Sequence, residues 1–163
     1  MALVLDKVRV GIVGTGIDLV RGVSLTLAPG ETLGIAGESG SGKSLTAQAA
    51  MGLLAPGLRL DGGILLDGMR LDGTEDPAWQ GVRGRRIAYL FQEPMSVLNP
   101  VQTVGRQIAD VAALHQGLSR EAARAEALGL MRQVGIPDPE RRAGAYPQSF
   151  SGGQAQRICL ALA

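Results

Sequence analysis

The 163-residue sequence holds one cysteine, Cys159, and one histidine, His115. A single cysteine excludes an internal disulfide and fits a cytosolic setting. Cys159 lies among Ile158, Leu160 and Leu162, so it reads as a small buried hydrophobe rather than a nucleophile. With one histidine, neither a His-based metal site nor a Ser-His-Asp triad can be assembled with support, and His115 reads as a solvated helix-end residue. No apolar run approaches the roughly 20 residues that cross a bilayer as a helix. Residues Met1–Lys7 lack a charged leader ahead of an apolar core, so no secretory signal is evident. Any membrane link is therefore expected to run through a partner. A formal charge of +1 leaves no nucleic-acid footprint. At 45% hydrophobic and 19% charged residues the chain is globular, with enough length for a core of medium size.

What is present is concentrated first in Gly37-Glu38-Ser39-Gly40-Ser41-Gly42-Lys43-Ser44, which reads G-x-x-x-x-G-K-S, the phosphate-binding P-loop. The apolar run Thr32–Ala36 behind the Pro29-Gly30 turn predicts a buried strand, and Leu45–Leu54 predicts a helix ended by Pro56-Gly57. Strand, glycine loop and helix are the order the motif needs. A triphosphate concentrates negative charge. Glycines let the backbone turn successive N–H groups inward as an anion nest, and a helix N-terminus adds partial positive charge. In such a loop Lys43 reaches the β- and γ-phosphates of ATP, and the Ser44 hydroxyl ligates Mg2+. A chance match in a glycine-rich chain is on the order of one in a hundred.

Elsewhere the pattern predicts strands over Leu3–Val10 and Val23–Leu27. Between them, Gly14-Thr15-Gly16 imitates a dinucleotide-binding turn. The third glycine of that fingerprint is replaced by Leu19, and a strand rather than a helix follows, so a glycine loop joining two strands is the better reading. Gly62–Met69 predicts a strand turning at Asp67-Gly68. Leu71–Gly84 reads as irregular, Arg86–Phe91 as a buried strand, and Gln92–Pro100 as a loop. From Thr103, a plausible N-cap, the period becomes helical, with Val104, Ile108, Val111 and Leu114 on one face. Ser119 predicts the cap of a helix over Arg120–Val134, ended by Gly135 and packing through Ala122, Ala125, Leu128 and Met131. Asp138–Phe150 reads as loop. A last helix opens at Ser151-Gly152-Gly153 and is still running where the sequence ends at Ala163.

Three motifs in order carry a family resemblance: the P-loop, Phe91-Gln92-Glu93-Pro94, and Ser151-Gly152-Gly153-Gln154 opening a helix. This set resembles the ATP-binding subunits of ABC transporters, with their Walker A, Q-loop and signature motifs. The flanks Phe91–Pro100 and Tyr146–Gly153, with Ser44-Leu45-Thr46, look like the dipeptide, oligopeptide and nickel importer branch. The resemblance implies an α/β P-loop NTPase core with an antiparallel β edge and an inserted helical subdomain. It divides the chain into an N-terminal part of the core at 1–100 and a helical subdomain at 101–163. It implies ATP and Mg2+ as cofactors, held by Gly37, Glu38, Ser39, Gly40, Ser41, Gly42, Lys43, Ser44 and Leu45. Ser151, Gly152, Gly153 and Gln154 would face the γ-phosphate of a second subunit, and Gln92 would sense Mg2+ and the attacking water. The implied partners are a second ABC ATPase, membrane permease subunits and, indirectly, an extracytoplasmic solute-binding protein. The implied place is the cytoplasmic face of the membrane, bound peripherally.

Two departures qualify the resemblance. Such subunits stack adenine on an aromatic residue at the end of the first strand, where this sequence has Val10-Gly11-Ile12. They also continue past the signature helix into an apolar strand ending in Asp-Glu and then a switch histidine, none of which is present. The chain therefore reads as the N-terminal part of an importer ATPase. Alternatives are an ATP-binding fragment without hydrolysis and a soluble, non-transport ABC ATPase.

Overall fold

The computed structural model describes residues 1–71, 73 and 77–163, so the expected irregular stretch at 71–84 lies partly outside the described residues. The chain forms two compact units, Met1–Ile87 and Ala88–Ala163.

The first unit is built on an antiparallel sheet. Strand β1 (Leu3–Ile12) pairs with β2 (Asp18–Leu27) on one side and β3 (Leu58–Leu66) on the other, and β3 pairs with the short β4 (Met69–Arg70). The Gly14-Thr15-Gly16 stretch is the hairpin loop between β1 and β2, with the Ile12 N–H donating to the Ile17 carbonyl at 3.0 Å. Asp67 and Gly68, with φ of 50° and 80°, make the two-residue turn between β3 and β4. Leu5, Val8 and Val10 of β1 are buried. Leu5 and Val8 are three apart, out of phase with the two-residue period of a strand. A bulge restores the phase: between Asp6 and Arg9 the register on β3 advances only from Gly63 to Asp61. Gly62 sits opposite the bulge at φ 98°, and a Cβ there would lie 2.6 Å from the Lys7 carbonyl oxygen.

Helix α1 (Lys43–Ala49) packs Ala49 against this sheet and ends earlier than predicted. Leu53 N–H bonds the Gln48 carbonyl at 2.9 Å and Gly52 N–H bonds that of Ala49 at 2.9 Å, a Schellman closure with Gly52 at φ 62°. The glycine admits a neighbour as well as a turn, because a Cβ on Gly52 would lie 2.6 Å from the Trp79 ring. Trp79 opens a short helix α2 (Trp79–Val82) inside the stretch expected to be irregular, and it is buried in the core with Val82.

Two predicted strands do not form. Thr32–Ala36 and Arg86–Phe91 run without strand pairing, apart from an isolated Arg83–Ile87 bridge. Leu33 and Ile35 are 43% and 48% exposed, and Leu90 and Phe91 are 47% and 42% exposed. The physical reason is that a buried parallel strand needs a hydrogen-bonded neighbour, and no strand among the described residues pairs with either run.

The second unit is helical. Helices α3 (Val104–Gln116) and α4 (Arg120–Gln133) form an antiparallel pair, followed by α5 (Pro139–Arg142) and α6 (Gly152–Leu162). Helix α5 and a 3-10 turn at Pro147–Ser149 interrupt what was expected to be one loop, and a 3-10 turn at Pro94–Ser96 lies in the loop after Gln92. The core joins Val104, Ile108, Ala123, Ala127, Met131, Phe150, Ala155, Ile158 and Cys159. On α3 Val104 and Ile108 are buried as expected while Leu114 is exposed; on α4 Met131 is buried as expected, but Ala123 and Ala127 join it in place of Ala122 and Ala125, which are exposed. Steps of three drift off the 3.6-residue turn, whereas the step of four from 123 to 127 to 131 keeps its contact with α3. Leu160 is exposed, while Cys159 is buried, which pushes its thiol pKa up.

Asp67 accepts from the Ala2 backbone N–H at 2.6 Å and from Arg86 at 2.5 Å. The backbone bond first, then Arg86, holds its carboxyl below the usual carboxylate range. Because the folded pKa is depressed, the stability it contributes is full at neutral pH and is lost as pH falls through the folded pKa. The stability gap between wild type and Asp67→Asn, read by chemical denaturation, is therefore expected to shrink steadily from pH 6 to pH 3. A constant gap would refute this. In the same assay Gly62→Ala, which meets backbone, is expected to cost more than Gly57→Ala. Gly57 also has positive φ (88°) but open space beside it, and its substitution should cost about 1 kcal/mol.

Candidate phosphate-binding loop and signature turn

The loop at Gly37–Ser44 folds as its spelling demands. Gly40 and Gly42 take φ of 82° and 90°, a region that side chains with a Cβ rarely occupy. Ser41 N–H closes back on the Glu38 carbonyl at 3.2 Å. A Cβ on Gly37 would meet Ser41 Oγ at 2.8 Å. A Cβ on Gly42 would meet Val20 Cγ2 at 3.3 Å, because the start of β2 lies against the loop. Lys43 bends back over the loop and its Nζ donates to the carbonyls of Gly37 at 2.9 Å and Glu38 at 2.7 Å. Its ammonium is thereby fixed at the mouth of the turn. Thr46 Oγ1 and N–H both bond the Gly42 carbonyl, at 2.9 and 2.8 Å, locking the loop to the helix. Glu38, Ser39 and Ser44 are exposed. Leu45 packs its side chain on the core, so its backbone N–H is the group it can offer a ligand.

The far end of α1 is held by a residue that the motif reading did not single out. Arg83 Nε donates to the Met51 carbonyl at 2.9 Å and Nη2 to that of Gly52 at 2.7 Å, while its guanidinium lies 4.9 Å from the Trp79 ring centre. Partial burial lowers the Arg83 pKa from its usual value. A cation at a helix C-terminus complements the helix dipole, so this contact supports the element that carries Lys43 and Ser44. The sequence signal was faint: an arginine four residues after the only tryptophan.

Gln92 is exposed in the loop after Phe91, whose ring meets that of Tyr89 edge-on at 4.7 Å. That loop is tied down further along. The buried Gln107 side chain accepts from Asn99 N–H at 2.9 Å and donates to the Asn99 and Gln102 carbonyls. Thr103 stands at the N-cap position of α3 but its side chain makes no cap bond. The first N–H groups of α3 are satisfied instead by the Ala145 and Ala143 carbonyls, each at 2.9 Å.

The signature turn is a capping box. Ser151 Oγ accepts from Gln154 N–H, and the Gln154 side-chain oxygen accepts from Ser151 N–H at 3.2 Å. Gly152 and Gly153 are exposed and have open space where a Cβ would stand. The Gln154 side chain is thus turned back onto its own helix. No group of three His, Cys, Asp or Glu side chains suited to a metal occurs among the described residues.

Residues 20–163 match the ABC transporter family model. The chain belongs to the ABC transporter family. It is 47% identical over 152 residues to the dipeptide transport ATP-binding protein DppD of Bacillus subtilis, covering 92% of this chain and 45% of that protein. It is 48% identical over 157 residues to the glutathione import ATP-binding protein GsiA of Salmonella typhimurium, covering 92% of this chain and 25% of that one. The chain spans less than half the length of these curated relatives. Among solved structures it resembles a dimeric ATP-binding cassette in a post-hydrolysis state bound to ADP and Pi. The TM-score is 0.80 at 27% identity, over 98% of this chain and 68% of that one. The fold is therefore that of an ABC ATPase, an α/β P-loop core whose antiparallel sheet is formed here.

Replacing Gln154 by Ala removes one half of the capping box. It is expected to lower the stability of the second unit by about 1 kcal/mol, measured by denaturation. No loss would mean that the box contributes nothing to holding the turn.

Proposed function

We propose that the protein is the ATP-binding subunit of an ABC importer, binding Mg-ATP at Gly37–Ser44. The observation that carries this reading is the Lys43 ammonium fixed on the Gly37 and Glu38 carbonyls, inside a turn that only glycines at 40 and 42 can make. Arriving phosphates would take over that ammonium, the loop N–H groups and the free N–H groups of the first turn of α1. The exposed Ser44 hydroxyl is a hard oxygen donor of the kind Mg2+ prefers. When bound, Mg2+ neutralises phosphate charge during transfer. The Ser151 hydroxyl and the Gly153 N–H at the start of α6 would then face a nucleotide held by a second ATPase subunit, and the solved relative's dimeric state favours that arrangement. The names of the relatives, which transport dipeptides, oligopeptides and glutathione, favour a peptide cargo over nickel. In this reading the subunit sits at the cytoplasmic face of the membrane on permease subunits. No helix among the described residues is long and apolar enough to cross the membrane itself. At the end of β1 the sequence has Val10-Gly11-Ile12 in place of an aromatic residue, and Val13 and Ile17 of the hairpin are exposed.

Lys43→Ala is expected to weaken ATP binding by the purified chain at least tenfold, at least about 1.4 kcal/mol. Titration of a fluorescent ATP analogue in the presence of Mg2+ measures this. Equal affinity for both proteins would overturn the phosphate-loop assignment. Recovery of the full-length protein free of membrane subunits would favour a soluble ABC ATPase instead.

A further inference from the structure

The first turn of α6 carries no acidic residue, yet a guanidinium is placed against it. Arg142, the last residue of α5, donates from Nη2 to the Gln154 side-chain oxygen at 2.9 Å, and its guanidinium carbon lies 4.2 Å from the centre of the Phe150 ring. Its Nε is buried and has no hydrogen-bond partner. A cation near a helix N-terminus opposes the helix dipole, and a buried N–H without an acceptor costs free energy. Helix stability alone therefore does not account for this placement.

We propose that Arg142 is a positioning residue for the signature turn. The same Gln154 oxygen accepts from Arg142 and from Ser151 N–H, so the arginine orients the amide that closes the capping box. Its stacking on Phe150 fixes the residue just before Ser151. Arg142 is itself anchored, because the next residues, Ala143 and Ala145, cap the N-terminus of α3 through their carbonyls. Gly105 makes that contact close, since a Cβ on it would lie 2.6 Å from the Ala143 Cβ. The neighbouring Arg141 points elsewhere: it is exposed and paired loosely with Asp138 at 3.9 Å. Arg142 thus holds the turn with the exposed Gly152 and Gly153 backbone outward and adds positive potential where an anion would approach. That the anion is a phosphate on a second subunit rests on the function proposed above.

The test uses Arg142→Met, which keeps the aliphatic stem, and Arg142→Lys, which keeps the charge and one donor to Gln154. In Arg142→Met, amide exchange at Ser151 and Gln154 is expected to rise at least tenfold, with Ile158 and Cys159 unchanged. ATP-driven self-association should weaken at least tenfold, while affinity for ATP at the chain's own P-loop stays within twofold. Arg142→Lys should restore most of both. Unchanged exchange in Arg142→Met overturns the proposal, as does exchange raised along the whole of α6 without rescue by lysine. Gln154→Met serves if Arg142→Met does not fold, and it must loosen Ser151 in the same way. Local exchange that responds as expected, in a wild type that never self-associates with ATP, supports the positioning role and refutes the proposed dimeric nucleotide site.

Discussion

A lysine ammonium held on two backbone carbonyls sets the terms for the first unit. For Lys43 to reach Gly37 and Glu38, the chain must double back within six residues, which is possible because Gly40 and Gly42 adopt positive φ. Gly42 must also lack a side chain because β2 passes beside it. The helix that carries the lysine is only two turns long and is not stable by itself. It is held at its far end by Arg83 and Trp79 and along its side by the sheet. The sheet, its bulge at Asp6–Lys7, the Schellman closure at Gly52 and the buried tryptophan all serve to keep one short helix where its first turn is useful.

The second unit solves a related problem differently. Its N-terminal N–H groups at α6 face solvent, and the turn presenting them has no positive-φ glycine to shape it. Rigidity comes from side chains instead: Ser151 and Gln154 bond reciprocally, and Arg142 and Phe150 press on them from α5 and the preceding turn. Gly152 and Gly153 are therefore not required by backbone conformation. Their missing side chains leave the N–H groups approachable, which the fold itself does not require.

The motifs were legible in the sequence because their chemistry is local. A loop that must wrap a phosphate needs glycine at fixed offsets, and a helix opening at Ser151 needs an acceptor at the cap, so residue types alone reveal both. The antiparallel hairpin, the Asp67-Gly68 turn and the helix boundaries around Ser119 and Gly135 were legible for the same reason. What failed was non-local. Thr32–Ala36 and Arg86–Phe91 have the composition of buried strands, but strand formation is decided by a neighbour, and none among the described residues pairs with them. The face of α4 turns from Ala122 and Ala125 to Ala123 and Ala127 because alanine marks neither inside nor outside. Thr103 is the N-cap of α3 as expected, but the first N–H groups of that helix are satisfied by the Ala143 and Ala145 carbonyls rather than by its side chain.

Arg83 and Arg142 show the limit of motif reading more sharply. Each is an arginine on a stretch without a recognisable pattern, and each secures an element that carries a motif: Arg83 the end of the P-loop helix, Arg142 the signature turn. Both also lie against an aromatic ring, Trp79 and Phe150, in a chain with only five aromatic residues. An arginine can satisfy backbone or amide oxygens and spread its charge over a ring at once, which lysine does less well. With so few aromatics to anchor a core, pairing them with arginines gives each ring two functions: filling the interior and orienting a cation at the end of a helix. The motif residues name the chemistry. The stacked arginines brace the elements that carry those residues.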